Sequence, residues 1–201
     1  MRNRRPRFTA IGEAVLLRSA SLAFGTRQLR PTLSLTDSRG CRNMTLPEDL
    51  RQLLLVFNEH GVEYLVVGGW AVGFYSEPRS TKDIDLFIRS GVKNSEAVFR
   101  ALAEFGAPLS GVTPADFRDS PTAIFQLGFS PARADILQSI DGIEFDEAWK
   151  NRVDLSLDGI EVHVISSEHL IQNKLKSGRL SDLADVEAIR EADKASQAGE
   201  E

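Results

Sequence analysis

From Leu50 onward the apolar positions fall at helical spacing, with Leu50, Leu53, Leu54 and Phe57 on one face. Thr45-Leu46-Pro47-Glu48 stands before them. Thr45 and Glu48 have the spacing of a capping box, and proline is tolerated in a first helical turn. Gly61 ends this helix. The pattern then changes: Val62-Glu63-Tyr64-Leu65-Val66-Val67 is a β-branched and aromatic run that reads as a buried strand. Gly68-Gly69 closes it, and residues 70–76 read as a short helix. After Pro78, Asp83-Ile84-Asp85-Leu86-Phe87-Ile88 alternates as a second strand. A helix is predicted over 95–105, with Val98, Leu102 and Phe105 on one face and Gly106 at its end. Residues 107–121 read as a loop with a helical turn near Ala115. Strands follow at 123–127 and 133–140, then a hairpin of 152–157 and 160–165 around Asp158-Gly159. Helices near 167–176 and 181–192 complete the pattern, and Ser196 onward reads as a polar tail. Helices mixed with strands and at least one hairpin predict an α/β (α+β) fold, a mixed sheet flanked by helices.

Composition narrows the picture. A chain of 201 residues with 42% hydrophobic and 26% charged positions has the balance of one globular domain, expected here over 44–195. No apolar run approaches the roughly 20 residues of a membrane span, so no membrane partner is expected. A single cysteine, Cys41, rules out an internal disulfide and fits a reducing, cytoplasmic setting. His60, His163 and His169 lack zinc-type spacing, so a metal site is expected to use oxygen ligands. The net charge of −5 is uneven. Residues 1–43 carry nine arginines against Glu13 and Asp37, a net +7 that leaves −12 on the remainder. So acidic a body is a poor non-specific binder of nucleic acid. Three readings of residues 1–43 are open: an organelle transit peptide, a nucleic-acid-binding basic arm, or a disordered or extraneous leader. The leader is favoured, because Met44 directly precedes the first helix signal.

Candidate chemistry sits in two places. Gly68-Gly69, between a strand and a helix, can bring backbone N–H groups close to an anion, or can simply be a turn. Asp83 and Asp85, two apart on a strand, share a face. Two neighbouring carboxylates repel and resist burial, so a strand that keeps both invites a cation such as magnesium. An exposed strand end carrying ordinary acids is the other reading.

The order Gly68-Gly69-Trp70-Ala71-Val72, then Arg79-Ser80-Thr81-Lys82-Asp83-Ile84-Asp85-Leu86, resembles the signature of the nucleotidyltransferase superfamily. It is similar to small bacterial nucleotidyltransferase-like proteins of the minimal and abortive-infection toxin type, and to lincosamide nucleotidyltransferases. The resemblance extends to Asp135, in Arg133-Ala134-Asp135-Ile136-Leu137, as a third carboxylate. It also covers the helical pattern Leu170-Ile171, Lys174, Gly178-Arg179, Asp182 and Asp185. It implies a magnesium-dependent transfer of a nucleoside monophosphate from a nucleoside triphosphate to an acceptor hydroxyl on a small molecule, a protein or an RNA end. Asp83, Asp85 and Asp135 would be its catalytic and metal-binding residues, with two magnesium ions in the active complex. Gly68, Gly69, Arg79, Thr81, Lys174 and Arg179 would be its nucleotide-binding residues. For Asp135 a salt bridge to Arg133 is the alternative role; for Arg79, Lys174 and Arg179 it is an ordinary surface cation. Trp70 and Phe74 fit the core or a stacked base. The alternative function is a non-catalytic nucleotide-binding or interaction module, such as one half of a toxin–antitoxin pair with a partner protein.

One expectation can be tested without knowing the function. A chain beginning at Met44 should melt at the same temperature as the full chain, because the first periodic apolar face begins there; a drop of several degrees on truncation would contradict it.

Overall fold

The structure is a computed structural model that describes residues 46–77, 81, 83–129 and 132–198. Thr45, the residues before it and Arg79 lie outside the described residues. Among the described residues six helices and six strands appear in the order α1 (Glu48–Glu59), β1 (Tyr64–Val67), α2 (Gly68–Tyr75), β2 (Asp83–Ile88), α3 (Val92–Phe105), β3 (Ile124–Phe129), β4 (Ala132–Leu137), α4 (Phe145–Lys150), β5 (Val153–Leu157), β6 (Ile160–Val164), α5 (Ser167–Ser177) and α6 (Leu180–Ala198). A 3₁₀ turn, Pro114–Phe117, follows α3. It realises the turn expected near Ala115, closed by reciprocal hydrogen bonds between Thr113 and Asp116.

The strands form one sheet in the order β3-β4-β2-β1-β6-β5. β2 pairs with β4 and β1 with β6 in parallel; the remaining neighbours are antiparallel. The sheet is therefore mixed, as the element pattern predicts. β1 is buried along its whole length, as its continuous apolar run requires. α1 buries Leu50, Leu53, Leu54 and Phe57 and packs with α3 and β6. α2 packs on β1 and β2 and touches α5 and α6. The β5–β6 turn takes positive φ at both Asp158 and Gly159, which matches the twist of a tight hairpin. The Asp158 carboxylate also accepts the Leu46 N–H at 3.2 Å, tying the entry of α1 to the hairpin.

Several elements differ from the pattern-based expectation, α3 among them, which begins at Val92 rather than near residue 95. α4 has no counterpart there: its six residues span less than two turns, too short to display a 3.6 period. Tertiary packing holds it instead. The Phe145 ring meets Phe87 edge-on at 5.1 Å and stacks on Trp149 at 5.6 Å. Arg89 lies over the Phe145 ring and pairs with Glu63 and Asp146. β4 ends at Leu137 rather than at residue 140, and Ile140 forms an isolated bridge with Ile143. α6 continues through Ser196 to Ala198, beyond the expected start of the tail.

One buried polar residue fixes the end of β2 that lies away from Asp83. Asn94 accepts the Glu63 N–H at 2.8 Å and donates to the carbonyls of Glu63 and Arg89, both at 3.0 Å. Asn94→Ala would leave the part-buried Glu63 N–H and Arg89 carbonyl without this side chain, while the Glu63 carbonyl keeps only the Arg89 N–H at 3.1 Å. It is expected to cost about 2–4 kcal/mol of stability, measured by chemical denaturation, with the Asp83–Asp85 end of the sheet unaffected.

Candidate functional site

The site grows from the register between β2 and β4. Asp85 lies opposite Asp135 and Asp83 opposite Arg133, so all four side chains share one face of the sheet. Ile84, Leu86, Ala134 and Ile136 point to the other face and are buried in the core. That apolar layer holds the strands in register, and the register brings the three carboxylates together.

The Gly68 turn closes against them. Gly68 has φ +64°, and a Cβ there would sit 2.0 Å from Asp85 Oδ2. The Asp85 carboxylate therefore occupies space that only glycine leaves free. Gly69 follows in the first turn of α2. Trp70 is buried in the core, and Phe74 packs against it half-buried, so both take the core role.

Arg133 and Gln126 sit among the acids. An Arg133 Nη2–H donates to Asp83 Oδ2, and Arg133 Nε lies 3.2 Å from Asp135 Oδ1. That second contact is an ion pair without the alignment of a hydrogen bond. Gln126, opposite Asp135 on β3, donates to both of its carboxylate oxygens at 3.3 Å. Burial raises the pKa of Asp85 to about 6, with the charges of Asp135 and Asp83 pushing the same way and Lys174 and Arg133 pulling against them. Burial also raises Asp135, against the opposing pull of Arg133 and Gln126.

The remaining candidates are placed differently. The Thr81 hydroxyl donates to the backbone carbonyl of Asp83 at 3.3 Å and so shapes the entry to β2. Lys174 is only 4% exposed, with Nζ 2.9 Å from Asp182 and 2.8 Å from Asp185. It is therefore not a surface cation, and its charge is felt at Asp85. Arg179 is exposed on the α5–α6 connection. Sequence reasoning missed Gln126. Its signal is a single amide within the apolar run Ile124-Phe125-Gln126-Leu127.

The acid cluster suits a hard cation. Asp83 Oδ1 is buried and has no hydrogen-bond partner, the Gly68 turn leaves a cradle at Asp85, and every donor is a carboxylate oxygen. A second group could offer ligands: Asp154, Glu161 and His163 have ligand atoms within 4.8 Å of one another. Asp154 Oδ1, however, is already engaged by His163 Nδ1 at 2.7 Å and by Arg152 Nε at 2.8 Å.

A mixed sheet with three acids from two neighbouring parallel strands, beside a glycine turn that opens a helix, can anchor a metal-bound phosphate chain. The chain belongs to the family described as nucleotidyl transferase of unknown function (DUF2204), which it matches over residues 46–198, and it is a transferase by that membership. Several solved structures are similar to it. A candidate nucleotidyltransferase from Thermotoga maritima is 18% identical, with 73% of this chain and 94% of that one covered and a TM-score of 0.48. A lincosamide antibiotic adenylyltransferase with lincomycin bound is 15% identical, with 74% and 98% covered and a TM-score of 0.43. The antibiotic-resistance factor ANT(2'')-Ia is 15% identical, with 74% and 82% covered and a TM-score of 0.45. Comparison with curated proteins gives no match.

The raised pKa of Asp85 has a measurable consequence in the metal-free protein. An aspartate that is harder to ionise when folded adds stability fully below its unfolded pKa, 3.8, and loses it as pH rises through about 6. Asp85→Asn, which mimics the protonated acid, should therefore be more stable than the wild type above pH 6, by on the order of 1–3 kcal/mol. The difference should vanish below about pH 4. Melting curves of both proteins across this range, without divalent metal, provide the check.

Proposed function

We propose that this chain is a magnesium-dependent nucleotidyltransferase that moves a nucleoside monophosphate from a nucleoside triphosphate to an acceptor hydroxyl. The observation that carries the reading is the register that sets Asp85 opposite Asp135, with Asp83 on the same face beside Gly68. Asp83, Asp85 and Asp135 would hold magnesium, two ions in the working complex. When bound, the metal would supply Lewis-acid stabilisation of the charge that builds up during phosphoryl transfer. Gly68 and Gly69 offer backbone N–H groups at the start of α2, and Arg79, Thr81 and Arg179 are assigned to the nucleotide side. Lys174 contributes through its field on Asp85. Asp135 comes from a different strand and is buried. Gln126 donates to both of its oxygens, and Asp135 would either ligate the catalytic metal or take the acceptor's proton as that oxygen attacks the α-phosphorus and pyrophosphate leaves. No described helix is long and apolar enough to cross a membrane; a cytoplasmic setting is part of the proposal and rests on the single cysteine.

One contact favours the second reading, a nucleotide-binding module without transfer that acts with a partner protein: the pairing of Arg133 with Asp135 and Asp83. The two readings separate on Asp135. With magnesium present, fluorescence titration with nucleoside triphosphates should show binding by the wild type and by Asp135→Ala, and none by Asp83→Asn. Transfer of label from an α-³²P nucleoside triphosphate to any acceptor should be lost in Asp135→Ala, by a factor on the order of 10² or more. Transfer that survives in Asp135→Ala removes it from the chemistry. Wild-type binding without transfer to any acceptor class makes the module the better description.

A further inference from the structure

Arg133 cannot be a passive neighbour of a metal site. It touches two of the three carboxylates, donating to Asp83 and lying 3.2 Å from Asp135, and its charge is felt at the third, Asp85. These are the oxygens a divalent cation would use, and two cations contending for one set of ligands repel one another at short range. The contacts are also uneven. The Asp135 contact lacks hydrogen-bond alignment, and the Arg133 side chain is 35% exposed, so it has water to swing into. Asp83 meanwhile keeps one buried oxygen, Oδ1, without a partner. Lys174, the other cation acting on Asp85, cannot take this part, because Asp182 and Asp185 hold it in the interior.

We propose that Arg133 is the resident counter-cation of the metal-free site, exchanged for the divalent metal on loading and thereby released to pair with the phosphates of the incoming nucleotide. This rests on the metal-dependent reading above and deepens it. An exchange of this kind keeps three clustered acids from being left uncompensated. It also delivers a forked donor suited to phosphate as the carboxylates turn to the metal.

The test uses the full chain, wild type and Arg133→Met, which keeps the aliphatic stem but not the charge. Free Mn²⁺ is followed by electron paramagnetic resonance as the metal alone is added. The variant should bind Mn²⁺ more tightly than the wild type, on the order of tenfold. At saturating Mn²⁺ it should bind ATP more weakly, by a similar factor. If the wild type binds Mn²⁺ and the variant binds it equally or less well, Arg133 positions the acids rather than competing for them. The exchange is then overturned and the metal site stands. If neither protein binds Mn²⁺, the metal-dependent reading itself fails and takes the exchange with it. If ATP affinity is unchanged in the variant, the released guanidinium has no phosphate role and the second half of the proposal falls. Should Arg133→Met not fold, the wild-type Arg133 Nε–H resonance, assigned through Arg133→Lys, gives the answer directly. It should shift on addition of Mg²⁺, and a resonance unmoved at saturating Mg²⁺ overturns the exchange.

Discussion

Parallel pairing of β2 with β4 in one register is the constraint on which this molecule turns. Side chains alternate along both strands, so a slip of a single residue would carry Asp135 to the face occupied by Ile84 and Leu86. It would place a carboxylate in hydrocarbon and Ile136 among acids, a double cost that the sheet avoids by keeping Asp85 opposite Asp135. The core and the acid cluster are thus two sides of one arrangement: what packs Ile84, Leu86, Ala134 and Ile136 also gathers the carboxylates.

Gathering them has an electrostatic cost, which the protein meets in three ways. Arg133 bridges Asp83 and Asp135, the Gln126 amide donates to both oxygens of Asp135, and Asp85 answers burial by holding its proton up to about pH 6. The three acids therefore sit in three environments: Asp83 accepts a hydrogen bond from Arg133, Asp135 lies against Arg133 and accepts from Gln126 although burial still raises its pKa, and Asp85 is pushed up to about 6 by burial. Even so, one guanidinium against three acids leaves the cluster with a net negative charge, larger once Asp85 ionises above about pH 6.

Much of this is legible in the amino-acid sequence, for physical reasons that can be named. The β2 strand shows itself by alternation, so the two-residue spacing alone sets Asp83 and Asp85 on one face. The α1 stripe of Leu50, Leu53, Leu54 and Phe57 marks the first helix, and Asp158-Gly159 marks the hairpin, because its backbone needs residues that tolerate positive φ. Distant pairing is what the sequence does not carry. Nothing local says that β4 lies beside β2, in which register, or that Asn94 clasps Glu63 and Arg89 across the sheet end. α4 escapes because aromatic contacts, not periodicity, hold it in place. Arg133 is visible as a neighbour of Asp135, but its reach to Asp83 depends on the strand pairing.

The burial of Lys174 between Asp182 and Asp185 bears on how related sequences should be interpreted. A lysine and two aspartates spaced eight and eleven positions along the chain look like a ligand-binding signature when they recur across a family. Here they bind each other and clamp α5 to α6, and removing Lys174 leaves two buried carboxylates without their shared cation. Recurrence of the trio would therefore record a helix joint inherited as a unit, and loss of activity on replacing Lys174 would not by itself identify a hand on the substrate.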